Sequence, residues 1–197
     1  ISYYKAHPLD ILKLWQGGLV FSGGLVATVV AMIWYLKRHH LSFWSTGDVW
    51  APSLALGQAI GRIGCHMAGC CYGQPTGWSW GVVFTHPKSL APLNVPLYPT
   101  QIFDAFGGLA IFLILLFVHG KRKFEGQVFV WYLILHSTAR LFVERFRGDE
   151  RGFILGTDMS ATQLVATVLL VGSVAALLIL RSRWERKHKK KEGGAAA

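Results

Sequence analysis

Charge is the scarcest property of this sequence. Asp, Glu, Lys and Arg make up 15% of its 197 residues, against roughly 25% in an ordinary soluble domain. Hydrophobic residues make up 52%, and that balance points to a membrane protein. Acidic residues are scarcer still, 10 against 20 basic ones. The resulting formal net charge of +10 would suit nucleic acid if the cations formed one face. They do not. Lys37-Arg38, Lys121-Arg122-Lys123 and the tail from Arg181 to Lys191 each follow an apolar stretch, where anionic lipid attracts them. We therefore expect a lipid bilayer as partner and no nucleic acid. Cysteine is also sparse. Cys65, Cys70 and Cys71 are too few for a disulfide scaffold, and their spacing matches no CxxC zinc or redox pattern. No repeat at a fixed period is present, nor a soluble segment large enough to bury its own core. No cleavable signal peptide is recognisable at Ile1; ISYYKAHPLD reads as a loop joined midway, and we expect further residues ahead of it.

What is abundant is apolar length. About 20 apolar residues cross ~30 Å of hydrocarbon as a helix, and the stretches at 17–36, 100–118 and 159–180 meet that length. Two more, at 48–67 and 126–146, begin apolar and then acquire Arg62, or His136, Arg140 and Glu144. With five spans, the three basic clusters all fall on one side, which the positive-inside rule makes cytoplasmic. The fold class expected is an all-α polytopic membrane protein with about five transmembrane helices. Residues 1–16 form an extracytoplasmic loop and 17–67 the first two spans. Residues 68–98 form a small extracytoplasmic lid with short β structure, because turn formers surround the β-prone WSWGVVF. Residues 99–181 hold three further spans, and 182–197 a cytoplasmic basic tail.

Arginine inside such spans needs an explanation, because burying a guanidinium in lipid costs at least ~2.5 kcal/mol unless an anion or a water-filled cavity receives it. Arg62 lies in the span-like APSLALGQAIGRIGCHMAG; the alternative is a helix-end side chain that snorkels to the interface. In YLILHSTARLFVERF, His136, Arg140 and Glu144 recur at i, i+4 and i+8 on one helical face, and Arg147 extends the stripe. Arg140 and Glu144 either neutralise one another within a bundle or line a cavity for a charged headgroup. Taken together, the arginines imply a bound anion near the outer leaflet, such as the phosphate of an acidic phospholipid. Expelling phosphate from that lipid needs cations on the departing oxygens and a base for the nucleophile. Arg62, Arg140 and Arg147 suit the first need; His136, Glu144 and His66 are candidates for the second.

The segments GGLVFSGGLV, GRIGCHMAGCCYGQPT, YPTQIFDA and HSTARLFVERFRGDE, in this order over nearly the whole chain, resemble the prolipoprotein diacylglyceryl transferase family. The resemblance implies a polytopic inner-membrane enzyme that moves the diacylglyceryl group of phosphatidylglycerol to the lipobox cysteine of a preprolipoprotein. A thioether forms and glycerol-1-phosphate leaves; no cofactor is required. Arg62 and Arg140 then match the two essential arginines, and Glu144 and Arg147 the charged partners beyond them. Gly64, Gly73, Ser22, Gly23, Gly24 and Gln101 complete the implied substrate-binding set.

Departures from the family pattern fall on the base. Ser22 stands where some members carry a His thought to assist thiol deprotonation, Cys65 where Asn is common, His136 where Tyr is common, and Tyr98 where His is common. His136 has the better claim to replace the base, one turn from Arg140. A Cys-His-Cys-Cys metal site is awkward with vicinal Cys70-Cys71, so a disulfide or plain packing is expected there and no metal. Two rivals stand: a paralogue that uses another acceptor or only binds phospholipid, and a small transporter with a buried Arg/Glu permeation path. Against the latter, the two halves do not resemble each other.

Overall fold

The computed structural model describes residues 21–149 and 160–195. The expected loop at 1–16 and most of the GDERGFILGTD loop lie outside the described residues. Two compact units are present, Ile1–Phe43 and Trp44–Ala197.

The first unit contains helix α1, Phe21–Arg38. Its cations, Lys37 and Arg38, occupy the last turn, where they complement the negative helix end. The helix stops at His40, which adopts a left-handed φ of 52°, and Leu41 N–H returns to the Leu36 carbonyl at 2.9 Å.

The second unit is built on α2 (Phe43–Ala68), α3 (Thr100–Gly120), α4 (Gln127–Glu144) and α5 (Ala161–Ala195). Small residues let α2 and α3 approach: a Cβ at Gly108 would meet the Ala59 Cβ at 3.1 Å and the Ala55 carbonyl at 3.3 Å. Ala51 and Ala55 of α2, Ile111 and Leu115 of α3, and Val128 and Tyr132 of α4 form the buried core. Helix α4 also packs along α5. The outward faces stay apolar, with Phe117 64% and Leu178 63% exposed; a solvent of hydrocarbon makes that pattern stable. Two helices among the described residues, Thr100–Gly120 and Ala161–Lys189, are long and apolar enough to cross a membrane.

A buried carboxylate fixes the start of α4. Asp48 of α2, with no exposure, accepts Gly126 N–H at 2.8 Å and Phe129 N–H at 2.9 Å. It thereby supplies from another helix the cap that Gly126, at a φ of 86°, has no side chain to provide. Helix α5 runs unbroken past residue 181, so that the basic segment expected at 182–197 continues the helix as far as Ala195. RSRWERKHKKKE consists largely of strong helix formers, and Arg181 pairs with Glu185 one turn on at 2.9 Å.

The connection from α2 to α3 holds the expected β structure in its smallest form. Strands β1 (Val82–Val83) and β2 (Pro96–Leu97) pair antiparallel, Val82 opposite Leu97 and Val83 opposite Pro96. Trp78 stacks on Trp80, which meets Phe103 of α3 edge-on, and Tyr98 contacts Phe146. This aromatic chain seats the small sheet on the helices.

Candidate active site

Three arginines from separate segments converge on one carboxylate oxygen. Asp104 Oδ2, near the start of α3, lies 3.2 Å from Arg62 Nε at the far end of α2. The same oxygen lies 3.8 Å from Arg140 Nη1 of α4 and 3.9 Å from Arg147 Nη1, just beyond α4. All three are ion pairs, and none meets Asp104 Oδ2 with hydrogen-bond geometry. Their side chains are largely shielded, Arg147 at 3% exposure and Arg62, the most open, at 27%. Arg62 thus turns toward Asp104 of the neighbouring helix.

Each guanidinium is further held. Arg140 Nη2 meets Glu144 Oε2 at 2.7 Å, the i,i+4 pair visible in the sequence. Glu144 is in turn fixed by Ser160, whose hydroxyl donates to Oε1 at 2.8 Å. Ser160 caps α5, accepting Gln163 N–H at 3.1 Å while its own N–H reaches the Gln163 side chain at 3.0 Å. Arg147 forms a two-pronged bond to Asp149, at 2.8 and 2.9 Å. Among the described residues the cluster therefore carries three guanidiniums against three carboxylates. An incoming phosphate must compete with Asp104 for the cations.

Gly73 makes the position of Arg147 possible. It bridges Arg147 in antiparallel fashion, and a Cβ there would overlap the Tyr98 carbonyl. Gln101 and Thr100, both buried, anchor the neighbouring turn: Gln101 Nε2 donates to the Cys70 carbonyl and Thr100 Oγ1 to the Cys71 carbonyl, each at 2.9 Å. Gly64, by contrast, has nothing within 4 Å of its would-be Cβ. Of Ser22 and Gly23 only the helical backbone is described, in the first unit, and Gly24 there accepts a bond from Thr28 at 2.8 Å.

His136 stacks on Tyr132 with ring centroids 5.6 Å apart, within reach of the charges of Asp104, Arg140 and Arg62. His66 meets Phe84 edge-on and, with Arg62, also lines the groove between α2 and α3. Beside Arg62, between α2 and α3, opens a groove of about 260 Å³ lined by apolar side chains including Leu56, Ile60, Ile102 and Phe106. A guanidinium at the rim of an apolar groove suits a ligand with an anionic head and hydrocarbon tails.

Sequence reasoning passed over Asp104, Ser160 and Asp149. For Asp104 a signal was present: it is the one Asp, Glu, Lys or Arg in the 21 residues of α3, and such a carboxylate requires a partner.

The sequence profile described as prolipoprotein diacylglyceryl transferase matches residues 1–179. The chain belongs to the prolipoprotein diacylglyceryl transferase family. A relative from Clostridium perfringens, phosphatidylglycerol--prolipoprotein diacylglyceryl transferase 2, is 37% identical over 184 residues, covering 92% of this chain and 71% of the relative. The phosphatidylglycerol--prolipoprotein diacylglyceryl transferases of Clostridium tetani and Nitrosomonas europaea are 34% and 32% identical. Those matches cover 88% and 96% of this chain and 69% and 67% of the relatives. Within this chain the tertiary structure joins the Arg62 and Arg140–Arg147 segments through Asp104.

Proposed function

We propose that this chain transfers the diacylglyceryl group of phosphatidylglycerol to the lipobox cysteine of a preprolipoprotein. The observation that carries the reading is the meeting of Arg62, Arg140 and Arg147 on Asp104, with Arg62 also at the rim of an apolar groove. Acyl chains occupy the groove and the phosphodiester takes the place of Asp104 on the guanidiniums. The acceptor thiol loses its proton to His136, its sulfur attacks the glycerol carbon, and the carbon–oxygen bond to phosphate breaks. The electron pair leaves with glycerol-1-phosphate, whose growing charge the three cations stabilise. Glu144, itself held by Ser160, keeps Arg140 oriented. The residues present complete this displacement without a metal or organic cofactor.

In the proposed topology five helices span the bacterial inner membrane. The lid and the arginine cluster lie toward the outer leaflet, and the C-terminal end of α5 is cytoplasmic. The basic residues after α1, after α3 and in the last part of α5 support it. The test is direct. The chain is incubated with phosphatidylglycerol and a lipobox peptide, and the diacylglyceryl mass increment on cysteine is sought. Transfer by the parent chain and its loss in Arg62→Ala are expected; product at parental levels from Arg62→Ala overturns the assignment.

A further inference from the structure

The transfer reaction leaves one cluster of reactive side chains unused. The sulfurs of Cys65, Cys70 and Cys71 all lie within 4.8 Å of one another, and all three thiols are free. We propose that they form a three-coordinate thiolate site for a soft monovalent cation of the Cu(I) class.

The backbone is shaped to gather them. Cys65 is on the last turn of α2, and the chain reverses at Gly69, whose φ is +70°. Cys71 is itself left-handed, with φ at 60°, a conformation that costs a non-glycine residue about 1 kcal/mol or more. Buried Thr100 and Gln101 hold it there by binding the carbonyls of Cys71 and Cys70. The Cys70 sulfur rests 3.7 Å from the Cys65 carbonyl. Three sulfurs are thus brought together from one turn with no help from a disulfide.

The ligand set selects the ion. Thiolates favour soft cations, whereas structural zinc takes four ligands in a tetrahedron. Among the described residues no fourth ligand joins the group: His66, next to Cys65, points to Phe84 instead. Vicinal Cys70 and Cys71, awkward in a tetrahedron, sit more readily at two corners of a triangle. Charge agrees as well. Three thiolates around a monovalent ion leave a net charge of −2, and cations are close by. Burial raises the Cys71 thiol, but a hydrogen bond and charge from Arg147, with Arg62 behind it, outweigh burial and lower it.

The full chain, purified in detergent and reduced without oxygen, is first alkylated in a parallel sample to count thiols. It is then titrated with Cu(I) supplied as its coloured bicinchoninate complex. We expect three free thiols, transfer of one copper per chain, and three sulfur ligands at the copper absorption edge. Cys65→Ser, Cys70→Ser and Cys71→Ser each weaken binding by about 100-fold or more, beyond what loss of an outer partner costs. The triple Ser variant, checked for an unchanged elution profile, takes none. Fewer than three thiols after reduction, copper left on the bicinchoninate, or equal uptake by the triple variant each overturns the proposal.

Discussion

Asp48 and Asp104 are both shielded carboxylates touching α2 and its neighbours, at opposite ends of α2, and they do opposite things. Asp48 is met by two backbone N–H groups and, at 3.7 Å, by the half-exposed Arg122. Its partners are fixed donors of the fold, so it acts as a cap. Asp104 is met by side chains alone, three guanidiniums sharing one oxygen at 3.2 to 3.9 Å. Side-chain cations can exchange one anion for another; a helix end locked into a core cannot. A buried acid matched by backbone is part of the scaffold, and one matched by mobile cations marks a place for a ligand.

Substitutions at the two ends should separate along that line. The largest effect is expected from Arg140→Ala, which removes a donor to the leaving phosphate and lowers transfer by about 10² to 10³-fold in a lipobox-peptide assay. Asp104→Asn releases the three arginines from their common anchor, and transfer falls by roughly 10²-fold. Asp48→Ala should do the reverse. It lowers stability by about 2 kcal/mol in detergent unfolding, with the rate per folded chain unchanged. If Asp48→Ala depressed that rate while Asp104→Asn left it alone, the contrast would be broken.

Smaller effects sharpen it. Gly73→Ala drives a methyl into the Tyr98 carbonyl and costs about 1 to 2 kcal/mol, while Gly64→Ala, facing open space, stays within about 0.5 kcal/mol; paired melting curves decide. The last prediction concerns proton chemistry beside Arg147. Cys71 is lowered and Cys70 raised to about 12, so as pH rises Cys71 reaches its reactive thiolate first. Peptide mapping after iodoacetamide labelling should show Cys71 modified at lower pH than Cys70. Arg147→Gln removes the largest lowering cause, leaves burial and the weaker effect of Arg62, and should move Cys71 labelling to higher pH.

Much of this was legible in one dimension. Helices are local, so the apolar runs at 100–118 and 126–146 predict α3 and α4 to within two residues at each end. The i,i+4 spacing of Arg140 and Glu144 likewise predicts their 2.7 Å pair. Gly64 and Gly73 read alike in the sequence and differ in space, because tight packing depends on which neighbour passes overhead. The link from Ser160 to Glu144 joins two helices across a loop, and no periodicity reports such a contact.

By itself, the order of residues determined the membrane-like composition, the helices and the family, since each rests on hydropathy, 3.6-residue periodicity or a short motif. Only the tertiary structure decided that Asp104 gathers Arg62, Arg140 and Arg147, that Asp48 caps α4, and that three cysteines meet at one turn. Those arrangements join residues up to 85 positions apart, as Arg62 and Arg147 are. Such distances close only when helices have packed.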